Sequence, residues 1–261
     1  MSEFAISKDG TRIGYEQHGE GPAVILVGGA MQFRGFDPTT VEMAKLLAAK
    51  GFTVLNYDRR GRGESADAPS FTLEDNIDDL AALIDIAGGT AALFGSSSGG
   101  AISLAAAAAG LPVTKLALWE VPLRADGGTE WTEFLAGFRE RVASGDKAAT
   151  IEYYMKDMPP EWLEGAKNSP GWPIMLELGP SLSADAESLA WAQSAPRAEL
   201  WSGVTQPTLA IVGEQTLPIM PEAADSIVAN IPSARKATIP AANHGWEPGV
   251  MADALAEFFA G

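Results

Sequence analysis

The sequence predicts an α/β protein built on a mostly parallel sheet with helices on both faces. Three observations carry that expectation. Short apolar, β-branched runs recur between longer stretches of helical period, the pattern of parallel strands joined by helical crossovers. One strand-to-helix junction holds three consecutive serines between glycines, Gly95-Ser96-Ser97-Ser98-Gly99-Gly100. The length, 261 residues, suits one large α/β domain and is too short for two full-sized ones with a linker.

Residues 4–7 and 12–17 read as an opening hairpin around Lys8-Asp9-Gly10, since Gly and Asp supply turn conformations. Residues 23–27 (AVILV) read as a buried strand that runs into Gly28-Gly29-Ala30. Residues 41–49 have the apolar spacing of a helix, 53–57 read as the next strand, and the polar turn DRRGRGES follows over 58–65. Residues 73–87 alternate acids and aliphatics at helical period. The strand 91–94, the serine junction and an alanine-rich helix come next, then strands at 115–120, 207–212 and 236–239 and a last helix at 251–259. Residues 123–202 differ in character. Strand-like runs stop and aromatics and methionines appear at helical spacings, so this stretch is expected to be a helical insertion, a lid, on a core made of residues 1–122 and 203–261. Soft and aromatic side chains suit an apolar cover over a pocket, and Trp172 and Trp191 are taken as its substrate contacts.

The serine junction does not fit a phosphate loop, because it ends Gly99-Gly100-Ala101 where Gly-Lys-Ser/Thr is needed, and it lacks G-x-G-x-x-G. It does fit G-x-S-x-G centred on Ser97, in which a serine is lifted out at a sharp strand-to-helix turn. Such a turn brings the residues two before and two after close together, so Gly95 and Gly99 are what it requires. A register centred on Ser98, with Ser96 and Gly100 at the crowded places, is the alternative; a Ser/Gly-rich turn without chemistry is the plain one.

Composition narrows the function classes. The formal charge is −16, from 34 acidic against 18 basic residues, and phosphate contacts need clustered Lys and Arg, so nucleic acid and anionic membrane surfaces are excluded as expected partners. No cysteine occurs, which excludes disulfides, thiolate metal sites and a cysteine nucleophile. No cofactor or metal is expected. No apolar run reaches about 18 residues, and MSEFAISKDG lacks a basic start and an apolar core, so a cytoplasmic protein acting on a small molecule is expected.

Taken together, the elbow Gly95-Ser96-Ser97-Ser98-Gly99, the turn 58–65 after a strand and a histidine after the final strand resemble the α/β-hydrolase fold family, in its order and over essentially the whole chain. The stretches Ser96-Ser97-Ser98-Gly99 and Trp119-Glu120-Val121-Pro122 are also similar to lactone hydrolases that open large resorcylic lactones. The resemblance implies a helical lid after the strand that follows the elbow, where residues 123–202 stand. This chain has Gly28-Gly29 where many members carry His-Gly.

The resemblance implies a nucleophile, base and acid in that family's roles. The chain has two histidines, His18 in the polar stretch EQHGEGP and His244 in AANHGWEP; His244 is the expected base, because a neutral imidazole near pH 7 is what deprotonating Ser97 needs. The oxyanion hole is expected at the backbone N–H groups of Ala30 and Ser98. For the acid, the slot after the strand beyond the lid holds Thr216, with Glu214 nearby, so the other site used in this fold, the strand end at Glu120, is preferred. A carboxylate ending an apolar strand is costly to bury without a partner. A serine nucleophile implies an acyl-enzyme and hence ester or lactone hydrolysis of an uncharged, apolar substrate. A carbon–carbon bond hydrolase or lyase on the same triad, or a ligand-binding protein without turnover, are the alternatives.

Overall fold

A computed structural model describes residues 2–65 and 68–261; Met1, the first residue assigned to the expected core, lies outside them. The hairpin β1 (Glu3–Ile6) and β2 (Arg12–His18) turns at the predicted place, and β3 (Ala23–Val27) follows. Helix α1 (Pro38–Ala48) starts with proline at its first position and Asp37 accepting from the Thr40 N–H, which satisfies an otherwise unpaired amide. Strand β4 (Thr53–Tyr57) is followed by a 3-10 turn, Gly63–Ser65, and then by α2 (Leu73–Ile86), whose start is fixed by a reciprocal Thr72–Asp75 capping box. Strand β5 (Ala91–Ser96), helix α3 (Ser98–Ala108) and strand β6 (Val113–Trp119) come next.

From residue 123 to residue 202 the described chain contains helix and no strand: α4 (Glu130–Ser144), α5 (Lys147–Tyr154), α6 (Pro160–Lys167), α7 (Trp172–Leu178), α8 (Ser183–Trp191) and the short α9 (Arg197–Leu200). The chain then returns through β7 (Thr208–Gln215), α10 (Ile219–Asn230), β8 (Ala234–Ala242) and α11 (Pro248–Ala260). Helix α10 is an element absent from the sequence reading. No helix among the described residues is long and apolar enough to cross a membrane.

The strands form one sheet in the order β1-β2-β4-β3-β5-β6-β7-β8, antiparallel in the opening hairpin and between β2 and β4, parallel elsewhere. Successive strand side chains point to opposite faces, so each buried strand feeds two cores. Ile25, Val27, Leu93, Leu116 and Leu118 pack with α2, α3 and α10 on one face. Val24, Leu26, Phe94, Ala117 and Trp119 pack with α1 and α11 on the other. The helices after β6 have a core of their own around Phe134, Phe138, Ile151, Tyr154, Leu178 and Leu182, and Met31 from the loop after β3 joins it. The C-terminal ends of β3, β5, β6 and β7 thus lie beneath this insertion, and ligand sites in open α/β sheets form at that end of the strands.

Candidate active site

Between β5 and α3 the chain turns on Ser97, whose φ of 54° and ψ of −126° lie where side-chain-bearing residues are rarely found. Two backbone bonds hold the turn: the Ser97 N–H donates to the Trp119 carbonyl at 2.8 Å, and the Gly100 N–H to the Ser97 carbonyl at 2.9 Å. A Cβ at Gly95 would come 2.5 Å from the Gly100 Cα and 2.7 Å from the Gly99 carbonyl oxygen, the collision expected within the elbow. Gly99 is required for a different reason. Its Cβ would lie 2.2 Å from the Val27 carbonyl oxygen, so this glycine lets α3 sit against the end of β3. A Cβ at Gly29 would meet the Ser96 carbonyl oxygen at 2.7 Å and the Ser97 Cβ at 2.9 Å, which accounts for a glycine there. Ser98 is the first residue of α3, buried, with its hydroxyl donating to Asp185 at 2.6 Å, so the strained conformation falls on Ser97 and not on Ser98.

Glu120 stands one residue beyond β6 at a φ of 40°. That left-handed turn swings its carboxylate off the strand and across the end of β7, where Oε1 accepts from the Gly213 N–H at 2.9 Å. Oε2 lies 2.6 Å from Nδ1 of His244. The Glu120 side chain is fully buried and His244 is 21 % exposed. Burial pushes the Glu120 carboxyl up, but His244, the nearby Thr216 hydroxyl and the Gly213 N–H together outweigh it and hold the group below the ordinary carboxylate range. Asn243 and His244 both have positive φ, in the loop after β8. That loop is tied down by the Asn243 N–H to the Gln215 carbonyl at 3.0 Å and by Trp119 Nε1 to the His244 carbonyl at 3.2 Å. The Trp119 ring stacks near the imidazole at 6.4 Å between centroids, and Trp162 of α6 stacks near it at 6.2 Å. Among the described residues, the non-glycine residues at positive φ are Met31, Ser97, Glu120, Asn243 and His244. Backbone strain of this kind costs of order 1–3 kcal/mol per residue and collects at functional sites.

A cavity of about 640 Å³ is lined by Ser97 and His244 from the strand ends, by Ala30 and Met31 after β3, and by Trp131, Phe134, Tyr154, Met155, Met158 and Trp162 from the insertion. Trp172 and Trp191, expected as substrate contacts, do not line it. Trp172 opens α7 and packs into the insertion's own core. Trp191 ends α8, which packs on α3 and α2, so its ring lies against the main core beside a shallow groove with Leu73, Ile77 and Leu200. His18 closes β2 with its Nε2 3.6 Å from Glu16 and does not line the cavity. Glu214 is exposed on β7.

Ala30 lines the cavity, and Ser98 stands at the first position of α3, where a helix has no acceptor of its own for the N–H. Among the described residues neither amide donates to a backbone acceptor outside its own element. Behind them lies a buried charge cluster that the sequence reading did not single out. Asp185 of α8 binds Arg59 Nη1 through Oδ1 and Arg62 Nη2 through Oδ2, both at 2.6 Å, with all three side chains at most 2 % exposed. The three arginines of DRRGRGES were a signal that the turn does more than reverse the chain. Asp185, on a helix over 100 residues away in sequence, gave none. Among the described residues no group of three His, Cys, Asp or Glu could hold a metal ion.

The model of the Alpha/beta hydrolase family matches residues 24–260. An alpha/beta hydrolase from Sphaerobacter thermophilus is similar at 35% identity and a TM-score of 0.84, over 98% of this chain and all of that one. Two more distant likenesses bear on the fold alone. A thermophilic esterase from Thermogutta terrifontis is 24% identical with a TM-score of 0.71, over 100% of this chain and 97% of that one. The enol-lactonase from Burkholderia xenovorans is 23% identical with a TM-score of 0.67, over 99% and 98% of the two chains. No curated protein matches the chain. With a family model spanning residues 24–260, and a relative of 35% identity over nearly its full length, the chain belongs to the alpha/beta hydrolase family.

Proposed function

We infer that the protein is a serine hydrolase that cleaves a carboxylic ester or lactone through an acyl-enzyme. The observation that carries this reading is the 2.6 Å contact of His244 Nδ1 with the buried Glu120 carboxylate, at the edge of the cavity that Ser97 lines. With Nδ1 bound to the carboxylate, the tautomer that leaves Nε2 as the free base is the one Glu120 favours, and Glu120 compensates the imidazolium that forms. His244 takes the Ser97 hydroxyl proton as the oxygen attacks the substrate carbonyl. The oxyanion is received by the Ala30 and Ser98 amides, and the proton passes from His244 to the leaving alkoxide as the carbon–oxygen bond breaks. Water, deprotonated by the same imidazole, then releases the acid and restores the serine. In a lactone the leaving alkoxide stays tethered to the acyl group.

The cavity supports an uncharged, apolar substrate. Its walls carry Trp131, Phe134, Met155, Met158 and Trp162, and its charged members Arg124 and Asp157 lie within 4.0 Å of each other. The insertion is proposed as a lid that sets substrate preference, and the enol-lactonase and esterase likenesses favour testing both bond types. The test combines labelling by a fluorophosphonate with a panel of p-nitrophenyl esters and lactones compared by kcat/KM. Expected is labelling on Ser97, a burst of p-nitrophenol and turnover of at least one panel class. Labelling elsewhere, or ligand binding without turnover of any ester or lactone, would overturn the reading.

A further inference from the structure

Gly29 and Ala30 share one trans peptide unit, whose N–H and C=O point in opposite directions. The Ala30 N–H belongs to the residue lining the cavity, and the Gly29 carbonyl accepts from Arg62 Nη1 at 2.7 Å. That arginine is held on all sides. Its Nε donates to Ser181 Oγ at 3.0 Å and its Nη2 to Asp185 at 2.6 Å, and Nη1 also reaches the Gln32 carbonyl at 3.3 Å. Arg59, bound to the other oxygen of Asp185, reaches the preceding carbonyl, Gly28, at 3.3 Å. Asp185 also accepts from the hydroxyl of Ser98. Two guanidinium groups therefore share one carboxylate, all buried, and the three groups sum to one positive charge behind the loop that carries Ala30.

We propose that Arg62 is a positioning residue for the oxyanion hole, polarising the Ala30 amide through the Gly29 carbonyl and so strengthening it as a donor to the transition state. The physical basis is cooperative hydrogen bonding. A cation donating to a peptide oxygen draws electron density from the N–H of the same unit, in a low-dielectric setting where such effects are not screened. The effect is selective for the transition state, because the substrate carbonyl carries little charge and the tetrahedral oxyanion a full one. Burial and the neighbouring Arg59 hold Arg62 down at about 10, which leaves it a cation at neutral pH. The glycine pair at 28 and 29 gives both carbonyls to the arginines, and Asp185 on α8 places the insertion in the same network.

This inference rests on the serine-hydrolase reading, and the experiment separates the two. Arg62→Gln is compared with wild type on a small p-nitrophenyl ester, for kcat and KM separately, and for inhibition by a trifluoromethyl ketone, whose serine adduct carries an oxyanion. Removing a whole oxyanion donor costs roughly 10²- to 10³-fold in kcat, and weakening one is expected to cost about 10- to 100-fold. KM should change little, and trifluoromethyl ketone affinity should fall by a factor close to that in kcat. A folded Arg62→Gln with kcat within about twofold of wild type, or with ketone affinity unchanged while kcat falls, overturns the proposal. If Ser97→Ala retains turnover, the serine-hydrolase reading itself fails, whatever Arg62→Gln does. Should Arg62→Gln not fold, Arg62→Lys carries the test. It keeps the charge but lacks the fork that serves Gly29, Ser181 and Asp185 together, and a partial kcat loss matched by ketone affinity is expected, with unchanged kcat overturning the proposal.

Discussion

His244 Nδ1 and Glu120 Oε2 lie 2.6 Å apart across the C-terminal edge of the sheet, joining the loop after β8 to the end of β6 past the intervening β7. The bridge is possible because Glu120 turns to positive φ; Gly213, which donates its N–H to the same carboxylate, is held to glycine first by the Ala241 carbonyl oxygen, 2.9 Å from where a Cβ would stand, with Oε1 at 3.2 Å. Glu120→Gln keeps the shape but removes the charge and offers Nδ1 a donor or an acceptor. A loss of about 10²- to 10⁴-fold in kcat on a p-nitrophenyl ester is expected. Glu214→Gln, at an exposed position of β7, should stay near wild type. Near-normal turnover in Glu120→Gln, or a large loss in Glu214→Gln, would move the acid elsewhere.

Ser97→Ala deletes one oxygen at a turn set by backbone bonds and glycines, so the fold should persist while turnover falls by roughly 10⁴-fold or more. Circular dichroism and thermal unfolding report on the first, steady-state kinetics on the second. Activity retained in Ser97→Ala and lost in Ser98→Ala would shift the elbow by one residue, although the Ser98 hydroxyl is already engaged with Asp185.

Two glycines give opposite outcomes on changing to alanine. At Gly29 the new methyl would press on the Ser96 carbonyl and the Ser97 Cβ, displacing the loop that carries Ala30. A misplacement of this kind costs on the order of 10²-fold in rate. At Gly165, in α6, no atom lies within 4 Å of the added Cβ. There alanine should raise stability by about 0.5–1 kcal/mol through helix propensity and leave the rate on a small ester unchanged. Denaturant midpoints and kcat for the pair check both, and equal behaviour of the two variants would contradict the close approach at Gly29.

How far the site was legible follows from what kind of contact made it. Strands β3 and β4 were readable to the residue because apolar, β-branched runs bounded by turn residues are local signals. Ser97, Glu120 and His244 were readable because each breaks a local pattern: a serine between glycines, an acid closing an apolar strand, a histidine beside glycine after the last strand. Helix α10 was assigned no element from sequence; Pro221 stands in its first turn, where proline is tolerated. Asp185 was invisible because its meaning lies in partners far along the chain. The choice of Trp172 and Trp191 failed for a related reason. The aromatic content of an insertion says that a cavity can be lined, while which ring faces it depends on how α6, α7 and α8 are rotated against the core.

The tryptophans that line the cavity are Trp131, Trp162 and Trp246, the first two of them from the helices after β6. Trp162→Ala removes a ring stacked near the imidazole as well as part of the wall, so it should alter both kcat and substrate preference, whereas Trp131→Ala, whose ring packs edge-on against Phe134, should alter KM and preference with the rate on a small acetate ester kept. Trp172→Ala and Trp191→Ala should lower stability with little effect on preference. A preference change in Trp191→Ala larger than that in Trp131→Ala would contradict the cavity as described.

Acid sensitivity offers a test away from the cavity. Asp9, in the turn between β1 and β2, accepts from the Thr11 N–H at 2.9 Å and lies 3.0 Å from Arg60 Nη1. Partial burial pushes its carboxyl up, but the Thr11 amide and Arg60 outweigh that and hold it at about 2, against 3.8 for an ordinary aspartate. A carboxylate depressed in the folded state is deprotonated there while the unfolded chain already binds the proton. Its contribution is therefore complete above the unfolded value and is lost as pH falls from about 4 through about 2. Asp9→Asn removes that contribution, so the variant should be less stable than wild type near neutral pH, with the gap constant down to about pH 5 and narrowing by about pH 3. Urea midpoints for the two proteins across that range measure the gap directly. Other depressed carboxylates, Glu120 and Asp185 among them, lower both proteins alike in acid and cancel in the difference. A gap that widens on acidification would mean that Asp9 is not held ionised by Arg60 and the Thr11 amide.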